Sequence, residues 1–133
     1  MVAAIRSDAG TSRRLVVGCL QRRATPLVSV PLVVEYESVM TRAGHLAASG
    51  LSIADVGTLL DAIVAVAEPV RLAFLWRPAL RDAGDDMVLE VAVNGRADAI
   101  VTFNRRDFAA VAARFGVAVL SPAAAVTEME ESR

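Results

Sequence analysis

Apolar residues recur along the chain in two ways, as short blocks and as stripes at helical spacing, and their alternation predicts strands interleaved with helices. Leu15, Val16, Cys19 and Leu20 share one helical face; Thr11 or Ser12 is placed to cap that helix, and the polar cluster Gln21, Arg22, Arg23 to end it. Leu27, Val28 and Val30 around Ser29 read as a short buried strand, and Pro31 suits the first turn of the next helix, expected over about 31–41. On that helix Leu32, Tyr36, Val39 and Met40 repeat at helical spacing, and Glu35 borders the apolar face. Gly44 and Gly50 bracket a segment read as a loop. Ser52 and Asp55 have the spacing of a capping box, opening a helix through Leu59, Leu60, Ile63, Val64 and Ala67 that stops at Glu68 and Pro69.

Val70, Leu72 and Phe74 alternate with Arg71 and Ala73, which predicts a strand near the sheet edge, followed by a polar turn over 77–86. A helix over about 86–94 ends at Asn94 and Gly95, residues that tolerate left-handed backbone angles. Ala99, Ile100 and Val101 form a buried strand, 107–115 a short helix, and 117–120 a last strand before Pro122. Such an order implies a parallel sheet with right-handed crossovers, flanked by helices.

The 133 residues form one domain over 1–133, and an apolar share of 55% with only 5% aromatic implies a core of Val, Leu, Ile and Ala. A net charge of −1 provides no overall basic field, so binding of nucleic acid requires a local patch. All fourteen cationic side chains are Arg, which can grip phosphate bidentately. Lone Cys19 excludes an internal disulfide and a Cys-based metal site, and it fits a reducing cytosol. No apolar run approaches the roughly 18 residues that span a bilayer, so a soluble, cytoplasmic protein without membrane contact is expected. With His45 alone, neither a histidine nuclease nor a His-rich zinc site is supported; a Gly-rich phosphate loop is also absent.

The candidate chemistry lies in acids that follow strands. Glu35 comes after the strand at 27–30, Asp85 and Asp86 open the helix to Asn94, and Asp107 opens the helix after Ala99 to Val101. Open parallel sheets bind ligands at that rim, and carboxylates gathered from separate segments need a cation, with hard oxygens favouring Mg²⁺ or Mn²⁺. Taken singly, each acid has an ordinary structural reading. Asp82, Asp85, Asp86 and Asp107 would cap helices, and Glu35 would be a solvated residue or the partner of an Arg.

Three runs together resemble the PIN domain family. Ser29, Val30, Pro31, Leu32, Val33, Val34, Glu35 and Tyr36 resemble the strand and helix that bring in one family acid. Arg81, Asp82, Ala83, Gly84, Asp85, Asp86 and the apolar helix after them are similar to a segment of a VapC-like subgroup labelled as toxins of toxin–antitoxin systems. Ala97 to Phe108, with Val101, Thr102, Asn104 and Asp107, is similar to the family's most specific segment.

The resemblance implies a three-layer α/β domain acting as a Mg²⁺- or Mn²⁺-dependent endoribonuclease, the toxin of a type II toxin–antitoxin pair. It would leave a 5′ phosphate and a 3′ hydroxyl. The alternative is a catalytically inactive module that binds an antitoxin or itself. Asp85, Asp107 and Glu35 are the implied metal ligands, Glu35 also a group that could orient the attacking water. Asp86, Thr102 and Asn104 are further site residues, and Arg105 and Arg106 contact RNA. The implied partners are RNA, an antitoxin protein and a second copy in a homodimer; Asp85→Asn is expected to abolish cleavage and leave folding nearly intact.

One family feature has no match. PIN domains begin with a central strand ending in a metal-binding Asp, whereas Met1, Val2, Ala3, Ala4 and Ile5 resemble the helical turn after that Asp, and Asp8 lies in a polar turn. The N-terminal central strand is therefore expected to be missing. Of two explanations, an internal methionine taken as the start and a true loss, the first is expected. A sheet without its middle strand would leave two rows of backbone groups unpaired, at about 1–3 kcal/mol for each that stays buried.

Overall fold

A computed structural model describes residues 1–6, 13–72 and 83–131 of the chain. Among these, five strands pair in parallel in the order β3-β2-β1-β4-β5. They are β1 (Val2–Ile5), β2 (Thr25–Val28), β3 (Glu68–Pro69), β4 (Ala99–Val101) and β5 (Ala118–Leu120). Seven helices accompany them: α1 (Arg13–Leu20), α2 (Val30–Met40), α3 (Ala43–Ser49), α4 (Ile53–Val66), α5 (Ala83–Asn94), α6 (Arg105–Arg114) and α7 (Pro122–Glu131).

The first residues correct the expectation of a missing strand. β1 is the central strand, pairing Val2 with Thr25 and Ala3 with Pro26 on one side, and Ala3, Ala4 and Ile5 with Ala99, Ile100 and Val101 on the other. The physical reason is pairing: an extended Val2–Ile5 satisfies the facing edges of β2 and β4, which a helical turn would leave open. Its ends are tied as well, by Val2 N–H donating to Asp98 Oδ2 at 2.8 Å and Arg6 N–H donating to the Val101 carbonyl at 2.9 Å.

Side chains alternate across the sheet with period two and divide the core. Ala3 and Val101 pack with Leu15, Cys19, Ala125, Val126 and Met129, the layer of α1 and α7. Ala4 and Ile100 pack with Leu32, Tyr36, Val88, Leu89, Ala92 and Phe108, the layer that includes α2, α5 and α6. Helices thus cover both faces, which buries Val101 and Ile100 completely.

Local chemistry starts the helices where capping rules place them. The Ser29 hydroxyl accepts from Leu32 N–H at 3.2 Å, with Pro31 in the first turn of α2. Ser52 and Asp55 form the full capping box at 3.0 Å in each direction.

Six elements differ from expectation. The strand read over 27–30 is Thr25–Val28, and Val30, expected to be buried, opens α2 and is exposed, because Ser29 caps that helix. The segment between Gly44 and Gly50 is α3, closed by Gly50 at φ 73°, because a left-handed glycine ends a helix as readily as it makes a loop. The edge strand is Glu68–Pro69, with Val70 N–H donating to the Val28 carbonyl at 2.7 Å; the rest of the alternation, from Ala73, lies outside the described residues. α5 and α6 begin earlier than expected, at Ala83 and Arg105, which puts Asp85, Asp86 and Asp107 inside first turns. Pro122 starts α7, since proline fits a first helical turn. The expected caps Thr11 and Ser12, and Asp8 and Asp82, also lie outside the described residues.

Candidate functional site

The carboxyl rim of the sheet gathers the residues that follow β1, β2 and β4. At its centre, directly after β1, stands Arg6. Its Nε lies 2.9 Å from Asp85 Oδ1 and its Nη1 lies 3.9 Å from Glu35 Oε1, so a hydrogen-bonded ion pair to α5 is joined by a longer electrostatic contact to α2. The side chains are 15% (Arg6), 9% (Asp85) and 22% (Glu35) exposed, so water screens this group far less than it would a surface pair.

Each partner is held by its element. The Tyr36 hydroxyl, one residue beyond Glu35 on α2, donates to the Ile5 carbonyl and ties α2 to the end of β1. Burial pushes that hydroxyl far above the ordinary tyrosine range, the Arg6 charge pulls it down and Cys19 adds to the rise, so Tyr36 remains a neutral donor. Asp85 sits in the first turn of α5, where the helix amino end also favours its charge. Gly84 beside it brings the guanidinium close: a Cβ there would lie 2.9 Å from Arg6 Nη2 and 3.0 Å from Cζ and Nη1.

Asp86 is 3% exposed and Glu90, one turn further along α5, is fully buried. Asp107 is placed differently. It is exposed on α6 and accepts from Asn104 Nδ2 at 2.5 Å, while Asn104 N–H donates to Thr102 Oγ1 at 3.0 Å and Asp107 N–H to the Asn104 carbonyl at 3.3 Å. Buried Thr102, itself bonded through its N–H to Leu120, anchors this chain of contacts. Thr102, Asn104 and Asp107 therefore shape the turn from β4 into α6, and exposed Arg105 and Arg106 begin that helix.

The structure thus brings Glu35 and Asp85 together around Arg6 and sets Asp107 in a turn of its own. Among the described residues no three His, Cys, Asp or Glu side chains converge as a metal site would require. An apolar cleft of about 600 Å³ lies beside the rim, lined by residues including Ile5, Leu20, Tyr36, Met40, Leu60 and Ile63, with no carboxylate among the described residues of its wall.

Sequence reasoning missed Arg6 and Glu90. Glu90 had a signal, as the one acid within the apolar run Met87 to Val93, since a helix apolar on all sides is buried and its lone acid is buried with it. Arg6 had none, because its partners lie 29 and 79 positions away.

A parallel sheet covered on both faces, with acids from separate segments meeting at its carboxyl rim, defines an α/β domain of the acidic-site class. The sequence profile of the PIN domain family matches residues 1–106, and the chain belongs to that family. PIN domains are generally nucleases and generally use divalent metal ions. No curated protein and no solved structure matches the chain. Among the described residues no single helix is long and apolar enough to cross a membrane.

Proposed function

We propose that this PIN domain acts on RNA as the ribonuclease toxin of a toxin–antitoxin pair in the cytoplasm, with an antitoxin and a second copy of itself as partners. The supporting observation is that acids from two separate helices, Glu35 and Asp85, meet at the carboxyl rim of a parallel sheet in a chain of nuclease family. Arg105 and Arg106, exposed at the start of α6 beside that rim, would hold the phosphodiester backbone; such contacts position RNA without reading its sequence.

The divalent ion of the family does not fit the residues as they are arranged. Mg²⁺ needs oxygen ligands at about 2.0–2.1 Å in near-octahedral array, yet the Asp85 oxygen is bonded to Arg6 and Asp107 bonds Asn104. No hydrolytic step is therefore derived through a metal. What the chain's own residues do is hold charge: Arg6 neutralises Asp85, and Tyr36 fixes the strand end from which Arg6 projects.

That arrangement favours a second reading, a PIN module without catalysis that binds an antitoxin or itself. One experiment separates the two. A labelled RNA is incubated with the protein and Mn²⁺, then with chelator, beside the Asp85→Asn variant. Cleavage that chelator and the variant both remove supports the ribonuclease. RNA left intact, with the protein recovered as a dimer or bound to the product of an adjacent small gene, supports the module.

A further inference from the structure

We propose that Arg6 is the resident cation of the Glu35–Asp85 site and keeps the chain free of the divalent ion its family generally uses. Three independent observations converge on it. The first is the root of the side chain. Arg6 N–H bonds the Val101 carbonyl at 2.9 Å, and the carbonyl just before it, on Ile5, accepts from Tyr36, so the backbone that aims the guanidinium is held from both sides.

The second is the pairing itself, at 2.9 Å to Asp85 and 3.9 Å to Glu35, in a place where all three side chains are mostly buried. A guanidinium is planar, weakly hydrated and charged at every accessible pH, so raising the pH does not release these carboxylates from it. The third is the space made for it. Residue 84 has no Cβ, and the guanidinium occupies the room that one would take, against the first turn of α5. A divalent ion bound to the same Asp85 oxygen at about 2.1 Å would stand no more than about 5 Å from Arg6 Nε, two like-signed charges in a poorly screened place. The guanidinium and the ion therefore exclude each other.

The inference rests on the second reading, the PIN module without catalysis, and chelator-sensitive cleavage by the wild-type chain would count against it. Metal occupancy itself is measured without RNA, so a chain that neither cleaves nor binds the ion is told apart from one that binds the ion and does not cleave. Mn²⁺ binding is measured by titration calorimetry, and the unfolding midpoint with and without about 1 mM Mn²⁺, a level at which a site of ordinary affinity is saturated. The full chain is compared with Arg6→Gln, Gly84→Ala and Asp85→Asn. The wild-type chain is expected to show no saturable binding and a midpoint shift below about 1 °C. Arg6→Gln is expected to bind one ion and gain about 5 °C or more with Mn²⁺.

Gly84→Ala retains the arginine. The atoms nearest its Cβ belong to the flexible end of Arg6, so it should displace the guanidinium while the residue at position 6 is kept, and gain a smaller Mn²⁺ response. It decides the matter where Arg6→Gln does not fold, and a gain in either variant supports the proposal. Saturable Mn²⁺ binding by the wild-type chain, weakened tenfold or more by Asp85→Asn, would overturn it. So would folded Arg6→Gln and Gly84→Ala proteins as indifferent to Mn²⁺ as the wild type.

Discussion

Replacing Asp85 by Asn keeps the shape of the side chain and removes its charge, so Arg6 loses its 2.9 Å ion pair and keeps the longer contact to Glu35 at 3.9 Å. Removing one member of a buried ion pair costs about 3–5 kcal/mol, because the survivor stays desolvated without compensation. Glu35 still offsets part of the charge, and the Asn oxygen can still accept from Nε, so the loss here should be about 2–3 kcal/mol. For a chain of this size, with a urea m-value of about 2 kcal/mol/M, the midpoint of urea unfolding falls by about 1–1.5 M. The assay is equilibrium unfolding at pH 7, followed by far-ultraviolet circular dichroism, with m required to stay constant. A fall below about 0.3 M would mean that the pair contributes no more than a solvent-exposed one. The sequence suggested that Asp85→Asn would leave folding nearly intact; the bond to Arg6 reverses that expectation.

Two glycines should respond in opposite directions. A Cβ on Gly95 would stand 2.8 Å from the Val91 carbonyl oxygen and 2.7–2.8 Å from Val70 and Leu27, so Gly95→Ala should cost about 1–3 kcal/mol in unfolding free energy. Gly57, inside α4 with nothing within 4 Å of its Cβ position, should gain about 0.5–1 kcal/mol on the same change. Burial pushes the Cys19 thiol up to about 11, so a thiol reagent at pH 8 should label the native protein slowly and the urea-unfolded protein at once. Bonds to Ser52, backbone first and then side chain, lower the Asp55 pKa in the folded state. Its stabilising contribution is therefore present above the unfolded value and lost as pH falls through the folded one; the stability difference between wild type and Asp55→Asn should hold from pH 7 to about 5 and shrink below about 4.

Most of the fold was legible because its signals are local. The capping box at Ser52, the Ser29–Pro31 helix start and the apolar block at 99–101 each act within a few residues. What escaped depends on partners distant in sequence. Nothing within Val2 to Ile5 distinguishes a strand from a helical turn; pairing with β2 and β4 decides it. α3 buries none of its residues, so it carries no periodic apolar signal and its two glycines read as loop punctuation. Pro122 marks the end of the last strand in the sequence, and the rule that places Pro31 at a helix start applies equally to it at α7.

The candidate site divides along the same line. Glu35 and Asp85 stood out by their order after strands, and the ordinary reading of Glu35 as a partner of an Arg is the contact observed, at 3.9 Å. For Asp107 the ordinary reading was a helix cap; the cap position of α6 is instead Asn104, and Asp107 lies in the first turn, its carboxylate accepting from Asn104. The identity of the arginine could not be read, since only the folded sheet places the end of β1 beside the first turn of α5.

The claim on which the rest depends is that the Arg6 guanidinium is engaged at the rim between α2 and α5. Its Nε–H resonance in a nitrogen–proton correlation spectrum tests this most directly. One arginine Nε–H signal, assigned to Arg6 by its loss in Arg6→Gln, is expected to exchange slowly with water at pH 7 and to collapse to fast exchange in Asp85→Asn. An Arg6 signal exchanging as fast as those of exposed Arg105 and Arg106, and indifferent to Asp85→Asn, would contradict it.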